Sequence, residues 1–132
     1  MPTKSPLQLR SLGKTDIRVT PIGLGAMELS GGGRFLGHIY PPLPREEKNA
    51  IIKAALDGGI NWFDTAEIYG GGVSEEAVAA GLKAAGKTDP DVVIATKWFP
   101  LFRTAGNIRS NVGTRLRHLD GYPISNFMVH QP

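Results

Sequence analysis

Four short apolar runs recur along the chain, and the stretches between them carry helical periodicity. The runs are Pro21-Ile22-Gly23-Leu24-Gly25-Ala26, Ile60-Asn61-Trp62-Phe63-Asp64, Asp91-Val92-Val93-Ile94-Ala95-Thr96-Lys97 and Ile124-Ser125-Asn126-Phe127-Met128-Val129-His130. The second and third are nearly continuous in apolar side chains, the pattern of parallel strands covered on both faces. With starts at 22, 60, 91 and 124, they follow one another at 38, 31 and 33 residues. Each interval is the size of one βαβ unit.

The first interval predicts a helix with Pro44 at its first position and Glu46 and Glu47 at the positive end of the dipole. Its apolar stripe is Ile51, Ala54 and Ala55, and Gly58-Gly59 stops it. The second interval predicts a helix capped by Ser74, with Glu75 and Glu76 in the first turn and Val78, Leu82 and Ala85 facing inward. The third places Ile108, Val112, Leu116 and Leu119 on one face and ends at Gly121. Gly113 weakens it by about 1 kcal/mol relative to alanine. Before the first strand, Leu7-Gln8-Leu9-Arg10 and Ile17-Arg18-Val19-Thr20 predict a hairpin over 7–20 that turns at Gly13-Lys14-Thr15-Asp16. Residues 28–44 are too rich in glycine and proline to hold regular structure for long. Lying at the carboxyl end of the first strand, this segment is either a cover over a site or a surface insertion.

Composition narrows the class. The 132 residues suit one domain with a real core, and 41% apolar with 20% charged residues excludes wholesale disorder. No run of about 18 apolar residues predicts a membrane span, and residues 1–10 lack the apolar centre of a secretory signal. The absence of cysteine removes disulfides, thiolate metal sites and a cysteine nucleophile. A cytoplasmic protein without membrane partners is expected. The net charge of +3 and pI near 9.4 raise the question of nucleic acid. The basic residues are scattered, however, and Arg109, Arg115 and Arg117 read as a solvated helix face. No nucleic-acid partner is expected.

The chemistry lies at the strand ends. The last three strands finish on Asp64, Lys97 and His130, and Tyr69 follows Asp64 across a short loop. In parallel α/β folds ligands bind beyond the carboxyl ends of the strands, so these four should converge on one rim. Any one of them alone fits a bland role: a loop cap, a solvated strand end, a surface histidine, a ring packed beside Gly70-Gly71-Gly72. Together they make an acid–base site. A lysine beside the tyrosine favours phenolate and is expected to lower the phenol pKa. Asp64 would pair with Lys97, and His130 could donate to a carbonyl oxygen. A tyrosine general acid suits protonation of an alkoxide as it forms, which implies carbonyl reduction.

Competing motifs fit less well. Gly23-Leu24-Gly25-Ala26-Met27-Glu28 lacks the third glycine of the dinucleotide fingerprint, and Gly31-Gly32-Gly33 lacks the ending of a phosphate loop. Tyrosine-x-x-x-lysine spacing is absent, since Val73 stands four after Tyr69. A metal on Asp64, Glu67 and His130 finds no paired-histidine spacing, and Lys97 would repel a cation. No metal is expected.

Taken in order, these segments resemble the aldo-keto reductases. The resemblance rests on Gly58-Gly59-Ile60-Asn61-Trp62-Phe63-Asp64-Thr65-Ala66-Glu67-Ile68-Tyr69-Gly70, on Ser74-Glu75-Glu76, on Val93-Ile94-Ala95-Thr96-Lys97 and on His130-Gln131-Pro132. The opening Leu12-Gly13 and Ile22-Gly23-Leu24-Gly25 are similar to that family's hairpin and first strand. The resemblance implies an α/β fold of the TIM-type (β/α)8 barrel and NADP(H)-dependent reduction of a small aldehyde or ketone. It implies Tyr69 as general acid, Lys97 and Asp64 as its tuning pair, and His130 as the carbonyl-orienting group. It further implies Gly25, Ala26, Met27 and Asp64 against the nicotinamide end of the cofactor. Asn126-Phe127-Met128-Val129 departs from the acidic, tyrosine-containing strand common in the family.

A complete barrel takes about 250 residues. The expectation is therefore an N-terminal half-barrel, residues 1–132 of one barrel domain, with βα units over 21–132. The family's phosphate contacts come mostly from the later half, so the isolated chain is expected to lack most of its cofactor site and its activity. The alternative is a non-catalytic fragment acting through self-association or a C-terminal half, because a half-barrel leaves sheet edges and one face uncovered.

Overall fold

In the computed structural model, which describes residues 7–131, Arg10–Ser11 (β1) and Arg18–Val19 (β2) pair antiparallel, with Arg10 opposite Val19. The hairpin is shorter than predicted, and Leu7 and Leu9 lie outside it. Its turn closes where the Leu12 N–H donates to the Ile17 carbonyl and the Thr15 hydroxyl to the Leu12 carbonyl. Pro132 of the His130-Gln131-Pro132 motif falls outside the described residues.

Leu24–Gly25 (β3), Trp62–Asp64 (β5), Val93–Trp98 (β7) and Asn126–Val129 (β8) form one parallel sheet in that order. Consecutive strands lie side by side, as in the wall of a (β/α)8 barrel over four of its units. All four are shorter than the apolar runs, because Ile22, Ile60, Val92 and Ile124 precede the ladder. The helices are Arg45–Asp57 (α1), Val73–Ala84 (α2) and Asn107–His118 (α3). No helix among the described residues is long and apolar enough to cross a membrane.

Strand alternation sorts the side chains onto two faces. Phe63 and Ile94 point to the helices and join Ile52, Val78, Leu82 and Leu119 in the core. Trp62, Asp64, Val93, Ala95, Lys97, Asn126 and Met128 line the other face, around a hollow of about 380 Å³ that Leu12 and Val19 also wall. Asn61 fastens the hairpin to the sheet. Its Oδ1 accepts from the Thr20 N–H at 2.9 Å, and its Nδ2 donates to the Arg18 carbonyl at 2.8 Å. The Trp62 indole N–H adds a bond to the Thr20 carbonyl at 3.1 Å.

Helix details depart from expectation in instructive ways. Pro44 caps α1 from outside rather than starting it. Ile52, not Ile51, is its buried isoleucine, and Ile51 is exposed. Gly81 of α2 faces Ile52, and a Cβ there would stand 2.6 Å from Ile52 Cγ1; glycine lets α1 and α2 touch. The N-cap of α2 is Gly72 in a left-handed conformation, while Ser74 sits inside the helix and is wholly buried. Its hydroxyl donates to the Ala26 carbonyl at 2.6 Å and lies 2.7 Å from Thr65 Oγ1, tying the ends of β3 and β5 together.

Residues 28–44 contain short turns of 3₁₀ helix and one strand, Arg34–Phe35 (β4), which pairs antiparallel with Tyr69–Gly70 (β6). The segment is thereby joined to the tyrosine segment of the rim. The join depends on glycine, because a Cβ on Gly33 would come 2.6 Å from Gly70 Cα.

Candidate active site

Asp64 is the last residue of β5, Lys97 stands one before the end of β7, and His130 follows β8. The His130 N–H donates to the Trp98 carbonyl at 2.8 Å and so extends the ladder to the rim. Strand alternation turns Asp64 and Lys97 to the same face, where Lys97 Nζ lies 2.7 Å from Asp64 Oδ2. A second bond from Nζ to the Thr65 carbonyl at 2.8 Å fixes the ammonium. The Lys97 side chain is largely buried, and Asp64 keeps a solvated edge.

Tyr69 completes the group from the side. Lys97 Nζ sits 5.1 Å from the centre of the Tyr69 ring, and His130 meets the same ring edge-on at 5.7 Å. Phe99 packs edge-on against the other side of His130 at 6.0 Å. All four expected residues are therefore brought together.

The electrostatics correct one expectation. The Tyr69 phenol is pushed above its ordinary value, first by burial and then by the carboxylates of Asp64 and Glu28. Lys97 does not reverse this, because its hydrogen bonds go to Asp64 and Thr65 and its charge lies over the ring. His130 is pushed below its ordinary value by burial and by Lys97, against the opposing pull of Asp64 and Glu67. It is neutral at pH 7, and its Nδ1 is buried with no hydrogen-bond partner among the described residues.

The four expected cofactor positions divide. Gly25 is exposed, and a Cβ there would meet nothing within 4 Å. Met27 is half-buried and Asp64 lines the inner hollow. Ala26 is corrected: it is wholly buried in the core, its N–H donates to the Asp64 carbonyl, and its own carbonyl accepts from Ser74. Gly25, Met27 and Asp64 keep some exposure at the rim, whereas Ala26 is enclosed in the turn.

A second polar cluster lies on the helix side of the sheet. Glu75 is fully buried and accepts from the Thr96 hydroxyl at 2.6 Å, with His118 Nδ1 at 3.0 Å and Arg115 Nε at 3.4 Å. Burial pushes the Glu75 carboxyl up, although Arg115, Thr96 and His118 oppose this. Glu67 accepts from the Phe99 N–H at 2.6 Å, from Arg103 and from Asn111. Burial raises its carboxyl too, but those bonds and the Arg103 charge outweigh burial and hold it below the ordinary value. Glu67, Phe99, Arg103 and Arg115 help wall a cavity of about 600 Å³ beside the rim.

This cluster overturns two readings. Arg115 is 4% exposed, so it is not part of a solvated face. The inner side of α3 is carried by Asn111 and Arg115, while Leu116 of the expected apolar stripe is exposed. The signal was present in the chain: Asn111, Arg115 and His118 are spaced four and three, as one helix face requires.

The comparisons follow from this geometry. The sequence profile described as the Aldo/keto reductase family matches residues 21–132. The aldo-keto reductase YhdN of Bacillus subtilis is 38% identical, covering 96% of this chain and 38% of that protein. Among solved structures, the aldo-keto reductase AKR11C1 of Bacillus halodurans in its holo form superposes with a TM-score of 0.74 at 26% identity, covering 94% of this chain and 40% of that one. An aldo-keto reductase of Klebsiella pneumoniae in complex with NADPH shares the fold, with a TM-score of 0.69 at 24% identity over 86% of this chain and 36% of that one. The chain spans about two fifths of the length of these proteins.

Proposed function

The chain belongs to the aldo/keto reductase family, and on that premise we propose that its rim carries the acid–base chemistry of NADP(H)-dependent reduction of a small aldehyde or ketone. The observation that carries this reading is the Lys97–Asp64 pair at 2.7 Å set beneath Tyr69 and His130.

In this reading Tyr69 is the proton donor. Its raised pKa keeps the hydroxyl protonated at neutral pH, and an alkoxide is a far stronger base than a phenolate, so transfer still runs downhill. Neutral His130 donates its one ring N–H to the carbonyl oxygen and orients it toward Tyr69. Lys97, held by Asp64 and the Thr65 carbonyl, stabilises the phenolate left behind. Gly25, Met27 and Asp64 would hold the nicotinamide end of NADP(H), which would supply a hydride, the two electrons together with the hydrogen that ends on the carbonyl carbon. Segment 28–44 is joined to Tyr69 through β4 and β6, and in this reading it serves to keep water from the phenol. A cytoplasmic location belongs to the same reading.

The test is reduction of an aromatic aldehyde followed by NADPH absorbance. Tyr69→Phe is expected to cost about 10²- to 10⁴-fold in any preparation that turns over, with the fold kept by circular dichroism; undiminished turnover overturns the assignment. Trp62 lines the same hollow as Asp64 and Lys97, so its fluorescence reports binding of NADPH to the chain. Absence of both binding and turnover favours the alternative, a non-catalytic half-barrel that associates with a second copy or a complementary half, and light scattering reads that state directly.

A further inference from the structure

We propose that Glu67 is a positioning residue for this site, a carboxylate latch that holds the 99–103 loop against the rim and through Phe99 sets the orientation of His130. The inference rests on the reading of Tyr69 and His130 as the reacting pair, but its test reads geometry and not turnover.

Glu67 lies two residues before Tyr69, and its own N–H donates to the Lys97 carbonyl at 3.2 Å. The residue is thus fixed to the strand that carries the lysine. Its carboxylate then reaches outward to four other residues. Oε1 takes the Phe99 N–H and the Arg103 guanidinium, and Oε2 takes the Asn111 amide, with Arg115 Nη1 at 3.7 Å. Arg103 closes a smaller ring by donating to the Phe99 carbonyl at 3.0 Å. Phe99 is therefore held at both its N–H, by Glu67, and its carbonyl, by a side chain that Glu67 also holds.

The consequence reaches the imidazole. The His130 ring sits between Tyr69 and Phe99, edge-on to both. Its ring has no hydrogen bond to hold it among the described residues, so its orientation is set by those two aromatic neighbours. Tyr69 is fixed by its pairing with Phe35. Phe99 is fixed by Glu67. An ionised carboxylate suits the latch, because it offers several acceptor positions at once and binds donors about twice as strongly as a neutral group.

Glu67 is also one of the charges that His130 feels. Asp64 and Glu67 favour the imidazolium, Lys97 opposes it, and Tyr69 faces the ring without charge. Removing the Glu67 charge should therefore move His130 further toward the neutral form.

The test is nuclear magnetic resonance on the 132-residue chain carrying Glu67→Gln, with Asp91→Asn, which touches only the Thr88 cap, as a control. The expected result has three parts in a variant whose amide spectrum shows a retained fold. The Phe99 amide exchanges about tenfold faster or more, the order set by one lost bond to a charged acceptor. The Phe99–His130 ring contact weakens, and the His130 titration midpoint falls. Unchanged exchange, contact and midpoint overturn the proposal. Should Glu67→Gln fail to fold, Arg103→Met removes the partly exposed arm of the latch. It is expected to quicken exchange at Phe99 and to weaken the same ring contact, and wild-type behaviour there overturns the proposal equally. None of these readings depends on cofactor or turnover, so failure of the carbonyl-reductase reading leaves them distinct.

Discussion

Replacing Arg115 by methionine should destabilise the chain far more than a surface arginine would. The side chain is 4% exposed and stands between two buried carboxylates, 3.4 Å from Glu75 and 3.7 Å from Glu67. Methionine keeps much of the volume and removes the charge. Breaking one side of a buried pair costs about 3–5 kcal/mol, since the partner is left charged and dry. The low end applies here, because Nε and Nη1 reach the carboxylates without aligned hydrogen bonds and Glu67 keeps Arg103 and Asn111. The expectation is about 3 kcal/mol near neutral pH, or roughly 10–15 °C in Tm for a chain of this size.

The same loss should depend on pH. Glu75 already has its carboxyl raised by burial, with Arg115 the largest opposing influence. Without Arg115 the folded-state pKa rises further. A group raised on folding contributes stability below its unfolded value and loses it as pH rises through the folded value. The penalty of Arg115→Met should therefore grow with pH and shrink in mild acid, where Glu75 takes a proton. Urea denaturation at two pH values measures this. A cost below about 1 kcal/mol at both would return Arg115 to the ordinary solvated class.

Gly33→Ala should push the 28–44 segment off Gly70 at a cost of about 1–3 kcal/mol and weaken the Tyr69–His130 ring contact; wild-type stability and an intact contact would contradict the close approach seen here. Asp64→Asn removes the negative charge paired with the Lys97 ammonium, whose other partner is the Thr65 carbonyl, and about 1 kcal/mol of stability should be lost in urea, discounted because Asp64 is partly solvated. His130 should titrate below 6.5 by nuclear magnetic resonance. Because its neutral form is favoured by folding, its contribution is complete above 6.5 and is lost as pH falls toward the lower folded value. That part of the acid dependence should disappear in His130→Gln.

Three of the four rim residues were legible because each depends on one local fact, the end of an apolar run, and Tyr69 follows one of those ends across a short loop. Strand ends in a parallel sheet share an edge, so locating Asp64, Lys97 and His130 at those ends was enough to bring them together. The runs overestimated strand length without harm, since most of the error lay at the amino ends and the carboxyl ends agree to within one residue. The polar cluster needed more than local information. Leu116 and Arg115 are neighbours on one helix, and which of them turns inward depends on what the sheet offers. Glu75 and Glu67 offer carboxylates, so the arginine goes in and the leucine stays out. As a charge at a helix start Glu75 reads as solvent-facing, a role that its complete burial supersedes. The direction of the Tyr69 shift failed for a related reason. A lysine near a phenol lowers its pKa only if the charge is unshared and aimed at the hydroxyl, and here Asp64 claims it.

What these findings share is the segment from Asp64 to Gly70, which is tied on every side. Asp64 and the Thr65 carbonyl take Lys97 from one face, while the Thr65 hydroxyl meets Ser74 on the other. The Ala26 N–H holds the Asp64 carbonyl, the Glu67 carboxylate gathers Phe99, Arg103 and Asn111, and Tyr69 pairs with Phe35. Partners therefore come from the first-strand turn, its following segment, α2, β7 and α3. A loop would ordinarily be among the more mobile parts of a fold. Here each turn of the segment has a partner from a different element, so no single loss frees the whole. That arrangement places a tyrosine, which must reach over a rim, on a backbone as constrained as the strands that carry its partners.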